Sequence, residues 1–182
     1  DVIDRDNPAA LFEHGPLYKF PTTVVYGYGF AALQLGVAWA MLDALRDLAM
    51  VKTPRGVTVS LRENPVFQGQ LARLEARRRA TRAYLFQTAD ETYRAVAARG
   101  SITLEERAAS KLATTHVIHE SVDITVEAYR AAGSTAIFKD GPFERRLRDA
   151  MTASQQTQAR AQNFVNLGRL LLNLEPDSMT FL

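Results

Sequence analysis

Apolar positions along this chain fall into long helical runs and not into the alternation that marks strands. From about Thr23 to Met50 the run is apolar almost all round, and no charged side chain stands between Lys19 and Asp43. A helix that is hydrophobic on every side belongs in a large core or at the centre of an oligomer. The same length would cross a bilayer. Gly27, Gly29, Gly36 and Gln34 dilute it, however, and Asp43, Arg46 and Asp47 continue the helix, which favours the buried reading. A second run starts at Asn64, a good N-cap, with Pro65 at the first helical position, and continues to about Ala98. Gly100 stops it. A third opens on Thr103 and Glu106, the spacing of a capping box, and runs to Ala132 before Gly133. A fourth opens at Gly141-Pro142 and extends to about Asn173.

The pattern therefore predicts an all-α fold, a four-helix up-down bundle over residues 23–173. Residues 1–22, broken by Pro8, Gly15, Pro16 and Pro21, read as a linker from upstream domains, and 174–182 as a tail. Val51 to Glu63 is a connector, and only Val57–Leu61 within it has any strand-like alternation.

Composition narrows the partners. Of 182 residues, 47% are hydrophobic, enough for one domain with a real core. The 22 basic and 20 acidic residues nearly cancel, which argues against nucleic acid as a partner. There is no cysteine, which excludes disulfides and Cys-ligated zinc and fits a reducing cytoplasm. No membrane association is expected.

Candidate chemistry is sparse. Walker, dinucleotide-fingerprint and nucleophile-elbow motifs are absent. His116 and His119 lie three apart beside Glu120 and Asp123, but a di-iron bundle needs a Glu-x-x-His motif on two helices, so no metal is expected. Arg73, Arg77, Arg78, Arg79 and Arg82 form a dense basic run. It reads as a solvated face with Glu75 as partner, with phosphate binding as the alternative. The richest polar and glycine cluster is AAGSTAIFKDGPFERRLRD, Ala131 to Asp149. A helix end, a turn and a new helix N-terminus there can hold the polar edge of a cofactor or serve only as a bundle corner.

That stretch resembles the C-terminal helical domain of the acyl-CoA dehydrogenase superfamily, through Gly133-Ser134, Ile137-Phe138, Pro142 and Arg148-Asp149. PLYKFP at Pro16–Pro21, ENPVFQGQLARLEA at Glu63–Ala76 and ITLEERAASKLAT at Ile102–Thr114 agree with it in order, most closely with the flavin-dependent monooxygenase branch. The resemblance implies FAD or FMN, supplied reduced by a separate flavin reductase, and a homotetramer with the bundles at its centre. It implies a small aromatic substrate, or an acyl-CoA in the dehydrogenase branch. It also implies upstream domains that complete the pocket, so the bundle alone should be inert. A non-catalytic assembly module is a further reading of the uncharged first helix. Residue by residue, Lys52 and Arg55 are the nearest matches to the basic residue that holds flavin phosphates. Gly133, Ser134 and Thr135 match the glycine loop that meets the cofactor, and Phe138 matches a residue near the ring or the substrate. Arg148 and Asp149 would orient the corner. Dehydrogenases place a catalytic Glu about two turns past the Arg-Asp pair, and monooxygenases tend to place a His at Gln156. Here the stretch reads ASQQTQ, with neither. Gln156 is the remaining candidate catalytic residue, able to hydrogen-bond but not to exchange a proton.

Overall fold

The computed structural model describes residues 15–177; the linker residues before Gly15, with His14, and the tail beyond Asp177 lie outside them. Among the described residues five α-helices run in order: α1 Thr22–Val51, α2 Pro65–Arg99, α3 Leu104–Ala132, α4 Pro142–Ala153 and α5 Gln162–Leu171. Single 3-10 turns occupy Pro16–Lys19, Leu61–Glu63, Gly133–Ile137 and Thr157–Ala159. There is no strand among the described residues, so Val57–Leu61 forms no ladder. The predicted capping groups set the boundaries. The Asn64 side chain accepts from the amides of Val66 and Phe67, and Gly100 closes α2 at φ 84°. At α3 the reciprocal box of Thr103 and Glu106 is complete.

α1 packs most extensively against α3 and also meets α2 and α4. Its second half, from Ala38 to Ala49, joins Phe67 and Leu74 of α2, Ile124 and Ala128 of α3 and Phe143 of α4 in the main core. Gly27 lets the backbones of α1 and α3 approach closely, since a Cβ there would meet Thr114 Oγ1 at 3.0 Å. Gln34 is fully buried, and its Nε2 donates to the carbonyl of Ala150, tying α1 to α4 at 2.7 Å. Most of the basic run of α2 is engaged within the fold, while Arg73 is exposed and forms no ion pair among the described residues. Arg77 bridges Glu120 and Glu127 of α3, Arg78 and Arg79 share Glu75, Arg78 stacks on Trp39 and Arg82 on Phe86. The hydrogen bond from Arg78 is the main cause that holds the Glu75 carboxyl down at about 2. For Arg77, Arg78 and Arg79 the ion-paired helix face is the outcome.

The fourth predicted helix is two helices. α4 ends at Ala153, and α5 begins only at Gln162, although no proline or glycine separates them. The reason lies on α3. Lys111, Thr115 and His119 are spaced four apart and so share one helix face. Thr115 Oγ1 donates to the Gln158 carbonyl at 3.1 Å, and His119 Nε2 lies 2.7 Å from the Ala159 carbonyl. Lys111 Nζ donates to Gln158 Oε1 at 2.8 Å. Asn163 Nδ2 closes the set on the Gln158 carbonyl at 3.0 Å and on Thr115 Oγ1 at 3.2 Å. Carbonyls that a continuing helix would satisfy internally are satisfied instead by another helix.

Lys111 is 5% exposed and has no carboxylate partner among the described residues. Burial lowers its ammonium to about 8 from the ordinary 10.5. A lysine depressed in the folded state holds its proton less tightly there than in the unfolded chain. Its charge therefore costs stability below about pH 8, and that cost fades as pH rises from 8 towards 10.5. Relative to Lys111→Met, the parent should gain stability between these values, read as the difference in thermal midpoints across a pH series; a pH-independent difference would contradict it. Thr115→Val keeps shape but removes the donor to Gln158, and should cost about 1–3 kcal/mol in urea unfolding.

Candidate functional site

Two places gather the residues that the sequence singled out. The first is the corner between α3 and α4. Gly133 ends α3 with φ 62° and ψ −146°, a conformation open to glycine and strained for other residues. The next residues form the 3-10 turn Gly133–Ile137, and Phe138 returns to extended backbone. Lys52, from the far end of α1, reaches into this turn. Its Nζ donates to the Ala132 carbonyl at 2.6 Å and to Thr135 Oγ1 at 2.8 Å. The connector holds Lys52 in place, because the amide of Leu61 donates to the Lys52 carbonyl at 2.8 Å.

Lys52, Gly133 and Thr135 are thus brought together from positions about 80 residues apart. Ser134 is exposed beside them. Ile137 and Phe138 are 59% and 62% exposed, an apolar shelf with little cover from the bundle itself. Phe138 is therefore no core residue. Arg55 is exposed on the connector and enters none of the corner's hydrogen bonds. Arg148 and Asp149 pair along α4 with Glu144 and Arg145, at 3.5 and 3.6 Å, and so do not brace the corner.

A groove of about 640 Å³ opens next to the corner, lined by Asp43, Asp47 and Leu48 of α1 and by Thr135, Phe143 and Arg146. Arg146 has a buried Nη1 without a hydrogen-bond partner. Of the residues that the sequence singled out, Thr135 and Pro142 line this groove.

The donor set at the corner suits a flavin nucleotide. Lys52 forms no ion pair with any described residue, so two of its three N–H groups fasten the turn and its charge remains uncompensated. A phosphate group would supply the countercharge, and the Ile137–Phe138 shelf would suit one face of a flat ring.

The second place surrounds Gln156. It is a pocket of about 300 Å³, lined by His119, Val122 and Asp123 of α3 and by Ser154, Gln155, Gln156, Ala159 and Arg160. The α3 clamp on Gln158 and Ala159 positions this wall. Gln156 Oε1 accepts weakly from the Gln158 amide at 3.4 Å, while its Nε2 is buried without a partner. His119, weighed from the sequence only as a metal ligand, is the residue whose place here was missed. The signal was its spacing of four from Thr115 and eight from Lys111. His116 stands apart, edge-on to Tyr84. Among the described residues no group of three or more His, Cys, Asp or Glu side chains could hold a metal ion.

Known proteins share this architecture. Indole-3-acetate monooxygenase of Acinetobacter baumannii is 27% identical over 94% of this chain and 44% of its own length. The protein of the same name from Pseudomonas putida is 22% identical over 88% of this chain and 41% of its own. The chain therefore spans somewhat under half the length of these curated relatives. XiaF from Streptomyces sp., solved in complex with FADH2 and glycerol, matches 97% of this chain and 44% of its own with a TM-score of 0.82 at 17% identity, a likeness of fold. The profile of the acyl-CoA dehydrogenase C-terminal domain matches residues 28–160, most of the described bundle, and the chain belongs to that family.

Proposed function

We infer that this bundle is the C-terminal part of a flavin-dependent monooxygenase and forms one wall of its flavin and substrate pocket. The observation that carries the reading is the uncompensated Lys52 ammonium fastened to the Gly133–Thr135 turn beside the exposed Ile137 and Phe138. The indole-3-acetate monooxygenases to which the chain is similar favour oxygenation of a small aromatic. The stretch from Ala153 to Gln158 supports it as well, since it lacks the carboxylate needed to remove a proton next to a thioester.

The flavin, FAD or FMN delivered reduced by a partner reductase, supplies the redox chemistry when bound. The chain's own residues bind and orient. Lys52 would meet phosphate oxygens, and the Ser134 and Thr135 hydroxyls and turn amides the polar edge. Phe138 and Ile137 would pack on the ring and keep water from it.

The uncharged face of α1 gives the oligomer. Tyr26, Leu33 and Trp39 are half or more exposed, or nearly so, at 59%, 50% and 47%. Such a surface needs cover, and a second bundle in a homotetramer provides it. The absence of cysteine suits a cytoplasmic enzyme.

The test is oxygen-dependent conversion of a small aromatic by the full-length protein with a reductase. Bleaching of its flavin by an acyl-CoA without oxygen would favour the dehydrogenase reading. Failure of both reactions would leave an assembly module. Lys52→Gln should weaken flavin binding by roughly 10- to 100-fold, the worth of one charge-assisted contact. Flavin affinity equal to the parent's, by fluorescence titration, would remove the corner from the site. Light scattering should show a tetramer; a strictly monomeric full-length protein would contradict the α1 assignment.

A further inference from the structure

The groove between α1 and α4 carries two opposite charges that the fold leaves unpaired. On α1, Asp43 and Asp47 stand four residues apart and both line it. Asp43 is taken by Arg46 at 2.8 Å. Asp47, at the exposed rim, has no hydrogen-bond or ion-pair partner among the described residues. Arg146 lines the groove from α4, is partly buried, and has none either. The two do not pair with each other. Between these walls the floor is apolar. Ala40 and Ala44 of α1 leave depth there that a leucine would fill, next to Leu48 and Phe143. At about 640 Å³ the groove is of a size for a small molecule.

Each feature sets a demand on the occupant. A partly buried guanidinium without a counter-ion is costly, and a carboxylate that accepts from it removes the cost. A lone carboxylate on the facing wall calls for an N–H or O–H donor. The floor calls for a flat apolar ring. With Asp43 neutralised by Arg46, the charges of Asp47 and Arg146 cancel, so the groove admits an anion at its α4 wall. We propose that this groove binds an aromatic acid that carries a ring N–H or O–H. Arg146 takes the carboxylate and Asp47 accepts from the ring donor. Neither residue makes or breaks a bond; both select the ligand. As a substrate seat the groove rests on the monooxygenase reading, through Thr135, which lines the groove and accepts from Lys52 at 2.8 Å.

The test is calorimetric titration of the full-length protein, with its flavin oxidised and no reductase, so that nothing turns over. Indole-3-acetate carries both polar groups, 3-methylindole only the ring N–H, and 1,3-dimethylindole neither. Arg146→Gln should weaken indole-3-acetate by roughly 10- to 100-fold, the worth of one charge-assisted hydrogen bond, and leave 3-methylindole at the parental affinity. Asp47→Ala should weaken 3-methylindole by roughly 3- to 10-fold, a smaller loss because the rim is exposed, and leave 1,3-dimethylindole unchanged. Neither side chain has a partner in the fold, so both variants should melt with the parent. Parental affinity for indole-3-acetate in Arg146→Gln overturns the assignment. An equal loss for all three ligands overturns it too, since a distorted groove would give that result, and so does a parent that binds none of them. The paired pattern of losses in a protein that oxygenates none of the three, with reductase and oxygen supplied, would uphold the groove while the monooxygenase reading fell.

Discussion

The conformation of the whole C-terminal third depends on one polar stripe, Lys111, Thr115 and His119 on α3. These side chains take the side-chain oxygen of Gln158 and the main-chain carbonyls of Gln158 and Ala159. Without them, the run from Pro142 to Leu171 has no reason to break. With them, the chain leaves α4, presents Gln156 at a pocket and starts again as α5. The arrangement is costly. A lysine 5% exposed without a carboxylate partner destabilises the fold at neutral pH, since burial opposes its charge. What it gives in return is a single defined path for a segment that would otherwise continue as helix.

The same logic governs the other corner. Lys52 lies at the end of a long apolar helix, yet two of its hydrogen bonds hold the turn after α3. Gly133 is required there by its own backbone, at φ 62°, and not by crowding, since a Cβ would meet only Lys52 Nζ at an ordinary 3.5 Å. Each candidate wall is therefore an irregular segment fixed by polar side chains from a regular helix. That division fits sites in general, where rigid elements position short non-repetitive stretches.

How much of this could be read beforehand follows from where the causes lie in sequence. The ends of α1, α2 and α3 were legible to within a residue or two, because caps are local: Asn64-Pro65, Gly100, Thr103 with Glu106, and Gly133. The corner was legible as a junction, and the resemblance to a flavoprotein family drew attention to Lys52. The break of the fourth helix was not legible. Its cause lies about 40 to 50 residues upstream, and ASQQTQ carries no breaker. Arg148 and Asp149 show the opposite error, since a motif match places residues in order but not in contact. His119 looked like an ordinary polar position until its ring nitrogen was found on the Ala159 carbonyl.

The account's central claim is that the Gly133–Phe138 corner, with Lys52 fastened to it, faces a bound flavin. A structure of the full-length protein with reduced flavin tests it most directly. The claim requires phosphate oxygens within hydrogen-bond reach of Lys52 and the ring against Phe138. A flavin seated elsewhere, with the Gly133–Phe138 turn covered by the protein's own upstream chain, would contradict it.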